Sequence, residues 1–152
     1  QLIGRTDRID IPEFGLTDIP AKIDTGANRS ALHCSHIKKI KKDGEEMIVF
    51  HIPLDSSHGK NTFTTSSFFR KKIKSSSGHA EMRYIIKTEV VIFGRRIKTT
   101  FSLSDRTEMQ YPILLGRKIL NKKFVVDVSK KDLSYEQKSV KEDSGTFSKP
   151  QP

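Results

Sequence analysis

The sequence predicts a single all-β domain with one short helix near its C-terminal end. The chain has 152 residues, which suits one domain. Its apolar segments are short, rich in Val, Ile, Thr and Phe, and separated by turn residues, a pattern typical of strands. Helical segments do not alternate with these strands, so nothing indicates a parallel α/β sheet. No apolar run approaches the roughly 20 residues of a membrane-spanning helix, so we expect no membrane partner.

The predicted strands follow one another from residue 19 to residue 128. Gly94-Arg95 lies between two β-branched runs and predicts a hairpin turn. Gly116–Asn121 has the pattern of one or two helical turns. The strands are predicted at Ile19–Ile23, Met47–Leu54, Thr62–Phe69, Tyr84–Phe93, Ile97–Leu103, Pro112–Leu115 and Phe124–Val128.

A change in composition near residue 129 predicts the domain boundary. Residues 1–128 contain the apolar segments and form the predicted domain. Residues 129–152 have few large apolar side chains and no sustained periodicity. We therefore expect a poorly ordered or loosely docked tail after residue 128.

Positive charge dominates the chain. Lys and Arg total 28 against 18 Asp and Glu, a formal net charge of +10, which favours polyanionic partners such as nucleic acid or acidic peptides. The densest basic region runs from Arg70 to Lys98. A second run, from Lys38 to Lys42, has no interleaved aromatic residues for base stacking and is interpreted as a solvated face.

The single cysteine, Cys34, excludes an intrachain disulfide framework and a four-cysteine zinc module. It is typical of a reducing compartment, so we expect a cytoplasmic protein. The first residue is Gln rather than Met, which leaves a periplasmic location open if a signal peptide was removed.

The segment from Ala21 to Ala27 carries the strongest chemical signal. An apolar strand delivers the carboxylate of Asp24 to a tight turn, and Gly26 lets the backbone pass close to that acid because it has no Cβ. Thr25 adds a hydroxyl that can bond nearby backbone or a neighbouring subunit. By itself, an Asp-Thr-Gly tripeptide is also compatible with an ordinary turn after a strand.

Two further segments make a specific pattern with this motif. Pro112–Leu120 joins an apolar strand to Gly116-Arg117, and Ser75–Gly78 is a turn of small residues. Retropepsin-like aspartic peptidases combine an early Asp-Thr-Gly-Ala with a late apolar segment followed by Gly-Arg, which lies beside the catalytic loop. In that fold, Ser75–Gly78 matches the tip of the flap, the hairpin that closes over the substrate.

Three longer segments resemble one bacterial family. They are KIDTGANRSALHC (Lys22–Cys34), RKKIKSSSGHAEMR (Arg70–Arg83) and SLSDRTEMQYPILLGRKIL (Ser102–Leu120). The family is the RimB-like group of retropepsin-like proteins, named ATP-dependent zinc proteases, whose members often occur beside RimK-type glutamate ligases. The resemblance covers about Ile3 to Val128. It implies a retropepsin-like closed β-barrel with one short C-terminal helix, assembled as a homodimer whose terminal edge strands pair between the two chains.

The resemblance implies an endopeptidase that activates water between two carboxylates. Such a dyad shares one proton at a separation of about 3 Å, because two like charges so close cannot both ionise. This chain has one such motif, so the second carboxylate must come from a second copy across a two-fold axis. The implied catalytic residues are Asp24, Thr25 and Gly26, and the implied structural residues beside them are Leu115, Gly116 and Arg117.

The implied substrate-binding residues surround the flap and the catalytic loop. Because many of them are basic, we expect an acidic, glutamate-rich peptide or a glutamylated protein as substrate. Asn28 and Arg29 stand where viral enzymes carry acids that pair with the late arginine, so the role of Arg117 is open between a dimer contact, a structural ion pair and a substrate contact. The full set is Ala27, Asn28, Arg29, Arg70, Lys72, Lys74, Ser76, Ser77, Gly78 and Arg83.

The zinc and ATP of the family name have no sequence motif here. There is no His-Glu-x-x-His and no Gly-x-x-x-x-Gly-Lys-[Ser/Thr], so we expect no cofactor. His33, Cys34 and His36 are compact candidates for metal ligands, but buried cysteine more often has a packing role.

Two other functions remain open from the sequence. One is a binding module for acidic peptides or proteins that kept the fold without turnover. The other is a nucleic-acid-binding β domain, which the charge favours but no recognition motif supports.

Overall fold

The computed structural model describes residues 1–74, 77–105 and 110–148, and it is mostly β. Short 3₁₀ turns occupy Pro12–Phe14 and Ser56–His58. The helices are α1 (Arg117–Leu120) and α2 (Leu133–Ser148). The strands are β1 (Leu2–Ile3), β2 (Thr6–Ile11), β3 (Leu16–Ile23), β4 (Ser30–Lys42), β5 (Glu45–His51), β6 (Thr62–Thr65), β7 (Phe68–Lys74), β8 (Ala80–Ile92), β9 (Arg95–Asp105), β10 (Ile113–Leu115) and β11 (Val125–Val126).

Most strands belong to one sheet that wraps around the core. Its order is β10-β3-β2-β8-β9-β4-β5-β6, with β7 paired to β8. The short strand β10 also pairs with β4, so it lies between β3 on one side and β4 on the other. The mostly-β prediction with a short helix after Gly116 is confirmed, while the closed barrel and the homodimer stay predictions.

Alternation along the strands places one face of the sheet on the core. In β8, for example, Ile86, Val90 and Ile92 are buried, whereas Lys87 between them is exposed. Three phenylalanines, Phe50, Phe63 and Phe101, are the largest side chains that are fully buried. This core supports the two long central strands, β8 and β9. Strand β8 forms the flap hairpin with β7.

Two hairpins follow one another as the sequence predicts. The first is formed by β7 and β8, with Gly78 at a φ of 88° before β8, and Ser75 and Ser76 of the predicted flap tip lie outside the described residues. The second joins β8 to β9, but its turn residues are Phe93 and Gly94, with φ of 52° and 69°, rather than Gly94 and Arg95. The predicted strand Thr62–Phe69 is interrupted at Ser66-Ser67 and divides between β6 and β7.

The segment after residue 128, predicted as a poorly ordered or loosely docked tail, contains a helix. Leu133–Ser148 forms helix α2, and the first part of this helix is docked on β2. The carboxylate of Asp7 accepts the backbone N–H groups of Ser134 at 2.9 Å and Tyr135 at 3.1 Å. Lys138 donates to Asp18 at 2.9 Å and to Asp10 at 3.2 Å. These contacts hold the helix because an acid at a helix N-terminus both accepts orphan N–H groups and opposes the helix dipole.

The terminal strands pair with each other within one chain. β1 and β11 are parallel, with Leu2 opposite Val125 and Ile3 opposite Val126, and the pairing of their outer edges with a second chain stays a prediction. Gly4 makes this junction possible, since its backbone packs directly on the carbonyl of Lys130 and a Cβ there would overlap it. Among the described residues, no helix combines the length and the apolar character needed to cross a membrane.

Replacing Asp7 with Ala is expected to lower the free energy of unfolding by about 2 to 3 kcal/mol, because it leaves buried N–H groups of α2 without their acceptor. Urea unfolding at neutral pH, followed by circular dichroism, measures this. Glu45→Ala, at an exposed position of β5, is the control and should change stability by less than about 0.5 kcal/mol. An equally small change for Asp7→Ala would contradict the docking described here.

The same variant has a characteristic pH dependence. Burial raises the pKa of Asp7 above its ordinary value of 3.8, with the hydrogen bonds from Ser134, Arg8 and Tyr135 opposing that shift. The native chain therefore binds this proton more tightly than the unfolded chain, and the contribution of Asp7 to stability falls as pH rises through the interval from 3.8 to the raised value. In Asp7→Ala this contribution should be absent.

Candidate active site

The loop from Asp24 to Arg29 connects β3 to β4 and is tied together by the side chain of its first residue. Oδ1 of Asp24 accepts the N–H of Gly26 at 3.0 Å, and the Asp24 carbonyl accepts the N–H of Ala27 at 3.3 Å. Asp24 is partly buried, whereas Thr25 and Gly26 are exposed. The result is a rigid turn that presents a carboxylate at the surface, which is the chemistry predicted from the motif.

The late apolar strand lies beside this loop. β10 runs parallel to β3, with Leu115 opposite Ile23, and the Leu115 carbonyl accepts the N–H of Asp24 at 2.9 Å. Gly116 follows at the closest approach: a Cβ there would stand 2.8 Å from the carbonyl carbon and oxygen of Arg29. The buried Ser30 hydroxyl accepts the Gly116 N–H at 3.1 Å. The loop is therefore held from β10 through backbone contacts.

Arg117 binds main-chain carbonyl groups of the Asp24–Arg29 loop. Its Nη1 donates to the carbonyl of Thr25 at 2.9 Å, and its own N–H donates to the carbonyl of Ala27 at 2.8 Å. The neighbouring Lys118 donates its N–H to the carbonyl of Asn28 at 2.9 Å. Of the roles left open by the sequence, this geometry gives Arg117 a structural role, but one directed to backbone carbonyls rather than to an acid.

The basic residues of the flap divide between two faces. In the β7–β8 hairpin, Arg70 lies opposite Tyr84, Lys72 opposite Met82 and Lys74 opposite Ala80. Side chains alternate along a strand, so these three basic residues share one face of the hairpin. The guanidinium of Arg70 lies 5.7 Å from the centre of the Tyr84 ring, and Phe68 and Tyr84 pack against the core cluster.

The opposite face of the same hairpin belongs to Phe69, Lys71 and Ile73, with Arg83 paired to Lys71. Phe69 shares a groove with Arg29 and Lys118, and the charge of Lys71 acts on Lys118. This second face is therefore the one turned toward the Asp24–Arg29 loop. Arg83 lies on it and pairs with Glu81 at 3.4 Å. Ser77 and Gly78 lie at the exposed hairpin tip, and Ser76 is outside the described residues.

Arg29 ends the loop that begins at Asp24, and its side chain makes a hydrogen bond to β9. Its Nη1 donates to Oγ1 of Thr100 on β9 at 2.9 Å. The charge of Arg29 is the main reason that the pKa of Lys118 is lowered, with burial and Lys71 adding to the effect. Ala27 is partly buried and Asn28 exposed in the same loop. The site is thus electropositive on the side of β9 and α1.

The three candidate metal ligands lie along β4. His33 and Cys34 are buried, and burial raises the pKa of the Cys34 thiol to about 12, with the charge of Asp105 adding to the shift. A thiol with that pKa is protonated at neutral pH, which disfavours metal ligation. His36 is exposed and its Nδ1 is 2.9 Å from the Ser35 hydroxyl. Within residues 1–74, 77–105 and 110–148, no three His, Cys, Asp or Glu side chains are grouped to hold a metal ion.

Several residues of this region were not singled out from the sequence. Ser30 belongs to a strand that was not predicted, so its hydroxyl contact with Gly116 had no signal. The basic residues in and beside the groove come from four different elements, β7, β8, β9 and α1, and meet only in the folded chain. They are Lys71, Lys87, Lys98 and Lys118.

Comparison with known proteins identifies relatives of this chain by sequence and by fold. Two of the relatives are named probable alpha-L-glutamate ligases: one from Shewanella pealeana, 32% identical over 90% of this chain and 32% of its own length, and one from Shewanella halifaxensis, 32% identical over 84% and 28%. The chain thus spans about a third of the length of these curated relatives. A crystal structure of a Legionella pneumophila protein of unknown function shares the fold, with a TM-score of 0.70, 23% identity and coverage of 88% of this chain and 97% of that chain.

The sequence model of the RimB-like family, described as retropepsin-like aspartic endopeptidase RimB, matches residues 2–137. That range contains the Asp24 loop, the flap hairpin, the β10–Gly116 segment and the first turns of α2. The chain belongs to the RimB-like family of retropepsin-like aspartic endopeptidases.

Proposed function

We propose that this chain is an aspartic endopeptidase that acts as a homodimer, with one Asp24 from each copy, on acidic, glutamate-rich peptide tails. The observation that carries the proposal is the construction of the Asp24 loop, in which a carboxylate is presented at the surface by a turn locked to β10. A turn held from both sides positions its acid without a further conformational change, and preorganised groups are what catalysis requires.

The chemistry needs two such loops facing one another. The ionised Asp24 would take a proton from water as the water attacks the peptide carbonyl, and the protonated Asp24 of the second copy would donate its proton to the carbonyl oxygen. The tetrahedral intermediate then breaks: the Asp24 that took the proton from water gives it to the leaving nitrogen as the C–N bond cleaves, and the other Asp24 takes back a proton from a hydroxyl of the intermediate, which restores the starting state. Each step needs both carboxylates, so a single copy would be inactive.

The surface beside the loop supports a second copy as partner. Leu2, Val125 and Val128 are large apolar side chains that remain 40, 67 and 73% exposed on or next to the β1–β11 pair. Each of these strands also has an open edge. A two-fold contact between copies would cover these side chains and add strands across the interface. In such a dimer the retropepsin-like closed barrel predicted from the sequence would be completed.

The charge of the site supports an acidic substrate. Basic side chains surround the loop, from Arg29 to Lys71 and Lys118, and an electropositive cleft concentrates anionic peptides. The relatives named as probable glutamate ligases agree with a substrate that contains glutamate. Their additional length lies outside this chain, so ligase chemistry is not part of the proposal.

The purified protein should cleave hexaglutamate with a kcat/KM at least about tenfold higher than that for hexaglutamine, because only the first peptide is attracted to the basic site. Mass spectrometry of the products, across a protein dilution series, measures both the preference and the dependence on dimerisation. Specific activity should fall on dilution as dimers dissociate. Equal cleavage of the two peptides would contradict the acidic substrate, and constant specific activity together with a monomeric mass would contradict the dimeric mechanism.

A further inference from the structure

A basic groove next to the catalytic loop has a defined composition. It has a volume of about 580 Å³ and is lined by Arg29, Phe69, Lys87, Lys98, Thr99, Thr100 and Lys118. Four of these seven lining residues are cations and none is an acid. The polar side-chain groups of this groove are lysine ammonium groups, one guanidinium and threonine hydroxyls. All of them can donate hydrogen bonds, as a carboxylate or phosphate ligand requires.

Within the described residues, no ion pair joins these four cations to an acid, and the acids Glu13 and Glu89 line the adjoining cavity that shares Lys87 and Lys98. Glu89 is opposite Lys98 in the β8–β9 register, but its carboxylate is directed to Arg96, at 3.9 Å. Lys87 lies over the ring of Phe69, with 5.4 Å between its Nζ and the ring centre. Such a ring attracts a cation without removing its charge. Clustered like charges repel one another, so a bound anion would relieve that repulsion.

Arg29 is prepared for this role by its contact with Thr100. The hydrogen bond from Nη1 to Oγ1, at 2.9 Å, fixes the guanidinium against β9. A guanidinium carries five N–H donors in a planar fork, so donors beyond this anchor remain to bind a planar carboxylate. Arg29 and Lys118 line the same groove, and the charge of Arg29 is the main cause that lowers the pKa of Lys118.

The groove is rigidly linked to the catalytic carboxylate. Arg29 ends the loop that Asp24 begins, and the Lys118 N–H donates to the carbonyl of Asn28 in that loop at 2.9 Å. An anionic side chain held between Arg29 and Lys118 would therefore be fixed relative to the reacting peptide bond. Positioning of this kind raises the effective concentration of the bond to be cut.

We propose that Arg29 and Lys118, supported by Lys87 and Lys98, form a subsite that binds one glutamate side chain of the peptide substrate and determines its specificity. The assignment rests on the proposed function and adds which residues recognise the acid. The face of β7 that carries Arg70, Lys72 and Lys74 takes no part in this subsite. Nucleic acid is the competing occupant of a basic groove, and the test below separates the two.

Binding of fluorescein-labelled hexaglutamate to the full chain carrying Asp24→Asn measures the subsite without turnover. Adding Arg29→Gln and Lys118→Gln should weaken binding at least about tenfold, since two charge-assisted hydrogen bonds are lost. Adding Lys41→Gln and Lys42→Gln instead removes the same charge from the exposed Lys38–Lys42 run of β4 and should weaken binding less than about threefold. Lys118→Gln alone, at an exposed position, replaces the double variant if the loss of Arg29 lowers the melting temperature.

Equal losses in the two pairs, or no loss in the groove pair, would overturn the subsite. A single-stranded oligonucleotide of equal charge that binds as tightly as hexaglutamate at the same salt concentration, and is weakened by the same variants, would assign the groove to nucleic acid. The outcome is separable from the peptidase proposal. If the chain binds hexaglutamate through the groove but cleaves no peptide, the subsite is supported and the peptidase proposal is contradicted. If cleavage is insensitive to Arg29→Gln and Lys118→Gln, the peptidase proposal is supported and the subsite is contradicted.

Discussion

Asp24→Asn is expected to reduce the cleavage of glutamate-rich peptides by at least about 10³-fold, since the dyad then lacks the carboxylate that takes a proton from water. The fold should be unchanged, because an asparagine Oδ1 can still accept the N–H of Gly26. Initial rates measured by mass spectrometry, with melting temperatures for both proteins, test this. The binding of hexaglutamate should persist in the variant.

The matched control for this substitution is Asp43→Asn. Asp43 is an exposed acid in the β4–β5 turn with a φ of 52°, a conformation that asparagine also tolerates. Asp43 lies in a different turn from Asp24, so this change removes the same charge outside the Asp24 loop. It should leave cleavage within about twofold of the wild type. Cleavage by Asp24→Asn at the wild-type rate would contradict the role of Asp24 in the reaction.

Gly116→Ala is expected to lower the free energy of unfolding by about 3 kcal/mol, because overpacking of a tight site forces backbone to move. The added Cβ would stand 2.8 Å from the Arg29 backbone and 2.9 Å from the Ala27 carbonyl oxygen. These atoms belong to the catalytic loop, so peptide cleavage should fall together with stability. Chemical unfolding and cleavage rates on the same preparations measure both effects.

Gly44→Ala separates contact from backbone strain. Gly44 has a φ of 82° in an exposed turn, and a Cβ there would meet nothing within 4 Å. The substitution should therefore show only the strain of a left-handed alanine, about 1 to 2 kcal/mol, with cleavage unchanged. A loss of activity in Gly44→Ala equal to that in Gly116→Ala would indicate a global effect and would contradict the role given to Gly116 in holding the loop.

The sequence predicts those parts of the fold whose signals are local. Asp24 with Gly26 indicates the tight turn, and the apolar run before Gly116 indicates β10. In the structure this turn and β10 lie side by side. β4 escapes prediction because Leu32 to Ser35 are buried in succession, covered on both faces, so their polarity does not alternate. The second part of the same strand, from Lys38 to Lys42, is exposed as expected for a solvated face.

Features set by distant contacts could not be predicted. The β8–β9 turn uses Phe93 with positive φ, a rare conformation for a bulky residue. Its N–H is accepted by the Ser134 hydroxyl at 2.8 Å, and its ring lies 6.0 Å from that of Phe124. Helix α2 likewise depends on acceptors from Asp7, far away in sequence. The residues around Phe93 and Leu133 do not indicate these distant partners.

The candidate site shows the same limit. The run from Arg70 to Lys74 is continuous in the sequence, but strand alternation turns Lys71 toward the loop and Lys72 away from it. The face cannot be chosen without the register of β7 against β8. Arg29 is found from the sequence because it follows the motif directly, whereas Lys87, Lys98 and Lys118 join it only through the folding of β8, β9 and α1.

The central claim is that two copies of Asp24 form one reaction centre. A crystal structure of the dimer tests it most directly through the distance between the two Asp24 carboxylates. The account predicts a two-fold assembly in which these carboxylates lie about 3 Å apart and share a proton. A stable assembly in which the two acids point to separate surfaces, or a protein that cleaves peptides as a monomer, would contradict it.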